Sequence, residues 1–224
     1  MRKTEDLINI LSQDLSPVER LASPGKRLLF WLAIALPISL ILGSVVEQKT
    51  LGIDTTQLAV SRLGDMRMVI EIIAIFATAI SAGFAALSSA QPGRSKQVWL
   101  LPIVPLLTWM ALVGEGCWQL WLEIGADKFT LAPHWSCYPS VVATGAVPAI
   151  ALVLMLRRTT LFNPTVTVGF ATLGAAALGA VGLRLFHPPD ATVMLMLWQL
   201  VATVSFFIIS GIVASFLRPA EDSL

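Results

Sequence analysis

MRMVIEIIAIFATAISAGFAALSSA, residues 66–90, decides the fold. A bilayer core about 30 Å thick is crossed by roughly 20 apolar residues of helix, and this stretch is longer than that. Five more apolar stretches flank it, at 27–47, 98–121, 139–156, 165–186 and 192–216. Each is long enough to span, the fourth only just. Composition agrees: 56% of the chain is hydrophobic and 13% charged, against about 25% charged in soluble domains. The expected fold is an all-α membrane protein, a six-transmembrane-helix bundle over 26–217. A polar segment, 1–25, precedes it, and a short tail, 218–224, follows. No signal-peptide cleavage site follows the first apolar run.

Lys and Arg set the orientation, because cytoplasmic loops retain positive charge. One set of breaks between spans holds Arg2, Lys3, Arg20, Lys26, Arg27, Arg94, Lys96, Arg157, Arg158 and Arg218. The other holds Lys49, Arg62, Arg67, Lys128 and Arg184. Both termini are therefore expected in the cytoplasm, with the polar runs 48–65 and 122–138 as long outer loops. Within the spans, Ala171, Ala175 and Gly179, and Ala79 and Gly83, recur at the four-residue spacing that lets helices approach. Pro37, Pro102, Pro105 and Pro148 also fall inside spans, where neighbouring helices can satisfy freed carbonyls. Antiparallel pairing into three helical hairpins is expected. The seven Trp residues, Trp118, Trp121 and Trp135 among them, fit an aromatic belt at the membrane surface.

The segment before the first span carries its own pattern. Thr4 suits a helix cap, and Glu5 and Asp6 suit its first turn. Leu7, Leu11 and Leu15 follow at spacing four, with Asp14 among the polar positions, before Ser16-Pro17 ends the helix. Val18 and Leu21 extend the apolar character. A short amphipathic helix needs a partner for its apolar face. Its acidic polar side disfavours a lipid surface, leaving its own bundle or a groove on a cytoplasmic protein.

Lys3-Thr-Glu-Asp-Leu-Ile8, then Leu11, Asp14, Pro17-Val18 and Arg20-Leu21 ahead of six spans, resembles the NrsF family of bacterial membrane anti-sigma factors. Trp135-Ser-Cys137 resembles the family's first outer cysteine site, and His187-Pro-Pro-Asp190 with Trp198 resembles a motif that usually reads His-Cys-Pro. Glu71 also fits the family habit. The resemblance implies an extracytoplasmic-function sigma factor as cytoplasmic partner, held through Thr4, Asp6, Leu7, Leu11, Asp14, Leu15, Val18 and Leu21. It also implies a sensing role for Cys137 on the outer side, with release of the sigma factor under oxidative or heavy-metal stress. Pro188 stands where the family's second cysteine falls, so the usual pair is broken.

Cys117 and Cys137 lie at the two ends of one outer loop. They could be unpaired thiols, a disulfide that replaces the missing partner, or, with His134 and His187, metal ligands. The last set is scattered over three segments, and no metal or cofactor is expected. Glu71 and Glu115 are the acidic residues read as intramembrane, and such carboxylates invite a functional hypothesis. The structural alternative is a place near the outer interface, protonated or bonded to Ser/Thr hydroxyls, to Trp indoles or to Arg184. No catalytic motif is present, so an enzyme is not expected, nor is direct contact with nucleic acid; lipid is the expected surroundings of the spans. The rival functions are a small ion- or proton-coupled transporter and an assembly subunit of a membrane complex.

The charge bias predicts topology. A reporter active only outside the cytoplasm should be silent when fused after Pro92 or Arg158, and active near Ile53 and Asp127.

Overall fold

The computed structural model describes residues 22–52, 54–91, 93, 95–124, 137–157, 159 and 163–186, with isolated helical positions at 4, 6, 8, 12, 201, 204, 205, 208, 209 and 212. Among the described residues there are six α-helices and no strands: α1 Pro24–Leu51, α2 Thr55–Leu63, α3 Met66–Ser89, α4 Ile103–Ile124, α5 Cys137–Leu156 and α6 Pro164–Phe186. A 3-10 helix, Lys96–Leu100, precedes α4. Four helical stretches are long and apolar enough to cross a membrane: Pro24–Lys49, Met66–Ser89, Lys96–Gly116 and Pro164–Phe186. In α5 the apolar helix over Ser140–Leu156 is shorter. Most of the sixth stretch, 192–216, lies outside the described residues.

The near end of the bundle carries Pro24, Ser89, Leu156 and Pro164, and the far end carries Leu51, Met66, Cys137 and Phe186. The helix α6 is central and the most enclosed, packing on α3, α5 and α1. Its small residues make this possible. A Cβ on Gly174 would lie 3.0 Å from the Gly83 nitrogen of α3, and one on Gly179 would lie 2.9 Å from Gly145 of α5. A Cβ on Gly182 would lie 2.9 Å from the Ser39 carbonyl oxygen of α1. Of the three expected hairpins, the first two, α1 with α3 and α4 with α5, are not the leading pairings, and the third involves residues outside those described. The most extensive pairing is α3 with α6, non-consecutive in the chain, followed by the consecutive pair α5 and α6 and then by α1 with α5, while α4 packs chiefly on α3. The three closest backbone approaches all fall at glycines of α6, which is why it sits against three neighbours at once.

Polarity along α1 is inverted relative to a water-soluble helix. Pro24, Arg27, Leu28, Trp31, Ala35, Ser39, Gly43 and Glu47 form the buried stripe. Leu29, Phe30, Ile34, Ile38, Ile41 and Val45 are exposed. Water would penalise so large a contiguous apolar face, whereas hydrocarbon penalises exposed polar groups. The arrangement fits lipid outside and polar groups inside.

Pro148 shows how the interior stays satisfied. Without an N–H, it cannot bond the carbonyl of Thr144 four residues back. The Ser39 hydroxyl on α1 donates to that carbonyl at 3.0 Å, and Trp31 Nε1 donates to the Pro148 carbonyl at 3.0 Å. Trp31 is fully buried, and Trp109 is buried too. The belt reading therefore fails for these two, because Gly83 opens room for the Trp31 ring on α3. Trp118 is exposed, as a belt residue would be. Pro102 sits at the break between the 3-10 helix and α4, and Pro105 falls in the first turn of α4, so neither kinks a helix from inside.

The polar run 48–65, read as a loop, is largely helical. The first helix continues to Leu51 and closes on Gly52, whose φ of 65° is left-handed and whose N–H reaches the Gln48 carbonyl. Asp54 then caps α2 through the N–H groups of Thr56 and Gln57. Asp65 caps α3 through that of Arg67.

The glycine contacts predict a contrast. Gly179→Ala forces a methyl into the α5 backbone and should destabilise by about 1–3 kcal/mol. Gly114→Ala meets nothing within 4 Å and should be neutral or gain up to about 1 kcal/mol. Unfolding of the detergent-solubilised variants by increasing SDS checks both.

Candidate functional site

The far end of the bundle concentrates the charges that sit among apolar residues. The helix α3 opens with Arg67 and Glu71 one turn apart, and each reaches a different neighbour. Arg184, in the last turn of α6, donates from Nε to Glu71 Oε1 at 2.6 Å and from Nη2 to Oε2 at 2.7 Å. Its side chain is 13% exposed and that of Glu71 4%. This fork-to-carboxylate geometry is the strongest pairing available to a carboxylate. A cation in the last turn of a helix also complements the macrodipole.

Arg67 turns toward α4. Its Nη2 donates to the Leu112 carbonyl at 3.0 Å and lies 3.4 Å from Glu115 Oε2. Gly116 leaves room for the guanidinium, since a Cβ there would stand 3.1 Å from Nη2. This pair is looser, with side chains 41% and 55% exposed. Both acids read as intramembrane are therefore partnered by arginine, Glu71 by Arg184 as the structural alternative held. Pairing answers the cost of a carboxylate in low dielectric. A third carboxylate was missed: Glu47 is fully buried on the inner stripe of α1. Its place in that stripe, four residues beyond Gly43, was the available signal; the adjoining Gln48-Lys49 disguised it as the end of the span.

At the near end, Arg27 is buried and donates from Nη2 to the Met155 carbonyl of α5. Pro24 occupies the first turn of α1, where its missing N–H costs nothing. The chain before it contains the predicted partner-binding segment. Thr4, Asp6, Ile8 and Ser12 are helical, and all four are exposed. Thr4 thus lies within the helix and does not precede it as a cap. Leu7, Leu11, Asp14, Leu15, Val18 and Leu21 lie outside the described residues.

The predicted sensing residues are reached only in part. Cys117 falls within α4, one residue beyond Gly116, and Cys137 is the first residue of α5. Their side chains, and His187, lie outside the described residues. No group of three or more His, Cys, Asp or Glu capable of holding a metal occurs among the described residues.

Comparison with known proteins gives one match, to the family described as NrsF, negative regulator of sigma F, over residues 11–218. No curated protein and no solved structure matches the chain.

The two ion pairs should differ in weight. Glu71→Gln or Arg184→Gln leaves a buried charge or its donors unpaired and should cost roughly 3–5 kcal/mol. The double variant should cost less than the sum of the singles. Arg67→Gln and Glu115→Gln should each cost under about 1 kcal/mol. Tryptophan fluorescence through an SDS unfolding series distinguishes them.

Proposed function

Because the chain belongs to the NrsF family of negative regulators of sigma F, we propose that it is a membrane anti-sigma factor for an extracytoplasmic-function sigma factor. It holds the sigma factor through residues 4–21 and releases it on a signal received at the far end. The family match over nearly the whole chain carries this reading, since the family implies negative regulation of a sigma factor. The protein sits in the bacterial plasma membrane with the near end and both termini in the cytoplasm.

Three features support the division of labour. The binding segment directly precedes α1, a continuous helix of 28 residues, about 42 Å long at 1.5 Å per residue. The far part of α1 packs on α6 at Gly43 and Gly182, two residues from Arg184. Through Glu71 and Arg67, α3 joins α6 to α4, which carries Cys117. Cys137 receives the oxidative or metal signal, with Cys117 in place of the partner missing at Pro188 and His187 as a further sensing residue. A change at α4, α5 or the end of α6 then has a packed route to α1. Such a signal releases the sigma factor only if it stabilises the holding and releasing arrangements unequally.

Leu11→Asp should reduce capture of the sigma factor from membranes by about 100-fold or more. Two factors of ten equal about 2.8 kcal/mol, within the cost of burying an unpaired carboxylate. The amount of protein in the membrane should not change. Sigma-factor activity still fully repressed after deletion of residues 1–22 would show that this segment is not the binding element.

A further inference from the structure

The nine residues of α2 present three kinds of surface. Thr55 is buried, and Leu58, Ala59 and Arg62 are half-buried, so these four face the bundle. The other five are exposed. At 3.6 residues per turn, Leu63, Thr56 and Val60 fall within about 60° of the circumference. Gln57 and Ser61 occupy the adjoining sector. The exposed surface is thus divided lengthwise into a mainly apolar strip, with the Thr56 side chain between Leu63 and Val60, and a polar strip. Val60 is 68% exposed and Leu63 57%, and Met66, the first residue of α3, is 72% exposed beside them.

The position of α2 explains the division. The Thr55 hydroxyl lies 2.9 Å from that of Ser44, seven residues or about 10 Å inside the end of α1. At the same level Gly43 meets the ring of Phe186, the last residue of α6. The chain therefore turns back after Gly52, and α2 starts level with the end of α6, on which it packs. The exposed faces of α1, with Ile41 and Val45, and of α3, with Ile70 and Ile73, are apolar. Met66, Ile70 and Ile73 recur at helical spacing and are all exposed, so Met66 carries the apolar face of α3 up to the end of α2. No acidic residue lies within α2, and its two flanking carboxylates, Asp54 and Asp65, accept from helix N–H groups.

We propose that α2 is an interfacial helix, with Val60, Leu63 and Met66 seated in the lipid of the far-end leaflet. Its polar strip faces the headgroups and water, the division that interfacial helices show. Continuity of Met66 with the exposed Ile70 and Ile73 of α3 favours lipid over a second protein as occupant. Through Thr55 and Ser44 the helix is joined to α1, so the bilayer surface touches the same helix that leads to the N-terminal segment. The lipid contact stands independently of the anti-sigma reading.

The test places a photoactivatable diazirine leucine singly at positions 57, 60, 61 and 63 of the full chain, in nanodiscs of phosphatidylethanolamine and phosphatidylglycerol. Position 34, exposed midway along α1, serves as the control for folding and lipid contact. After irradiation, mass spectrometry should show lipid adducts at 60 and 63 comparable to those at 34. They should exceed those at 57 and 61 at least fivefold. Covalent dimers from 60 or 63, equal lipid labelling at all four positions of α2, or lipid adducts at 34 alone would each overturn the proposal.

Discussion

Everything else in the bundle depends on how closely backbones approach α6. Three of its glycines meet three different helices, and in each case a single added carbon would fall within about 3 Å of a neighbouring backbone atom. Lipid tails are as apolar as leucine, so no hydrophobic gradient drives these helices together. Close packing and interhelical hydrogen bonds must do it. Approach at Gly83 and Gly174 also sets the spacing at which Glu71 and Arg184 meet ten and more residues further along the same antiparallel pair. With bulkier residues at the crossing the carboxylate and guanidinium would stand apart, each buried without its partner.

The interior is accordingly where the polar chemistry lies. Ser39 and Trp31 complete the backbone bonding around Pro148. Arg27, Glu47, Glu71 and Thr144 are all buried, while leucine, isoleucine and phenylalanine cover the outside. Such an arrangement would be unstable in water and is the natural one in hydrocarbon, where unsatisfied polar groups are the expensive ones. It also gives rigidity where a regulator needs it. The Glu71–Arg184 clamp tolerates little displacement, because a two-point pairing loses both bonds when one helix slides or turns. The half-exposed Arg67–Glu115 pair is the more yielding of the two. A displacement of α4 against α3 therefore meets a softer joint than a displacement of α6 does.

Several of these features were legible in the residues. The apolar stretches at 27–47, 66–90, 139–156 and 165–186 are helices close to the lengths read from hydropathy, since a run of about 20 apolar residues has few alternatives. The Ala-Gly spacing on the fifth stretch identified the packing helix. Glu71 stood out because a carboxylate in an apolar run is conspicuous, and Arg184 was among its named partners. Less legible was α2: a nine-residue helix bearing Thr, Gln, Ser and Arg has no long period to read. Glu47 was hidden by its polar neighbours. Trp31 was taken for a surface anchor, because residue type near a span end does not say which way the ring points.

By itself the sequence determined that the chain is helical, apolar enough for a membrane, charged mainly between spans, and similar to the NrsF family from end to end. Those properties follow from local runs of residue type, which act through the solvent and need no neighbour. Only the tertiary structure decided that α3 and α6 are the principal pair, that arginine answers each of two acids, and that Ser39 serves a proline on another helix. It also decided that α2 folds back against α1. Each of these depends on residues between 11 and 113 positions apart. Such pairings are selected by shape and by the cost of leaving a buried charge or carbonyl unmet, and neither quantity exists until the helices have been brought together.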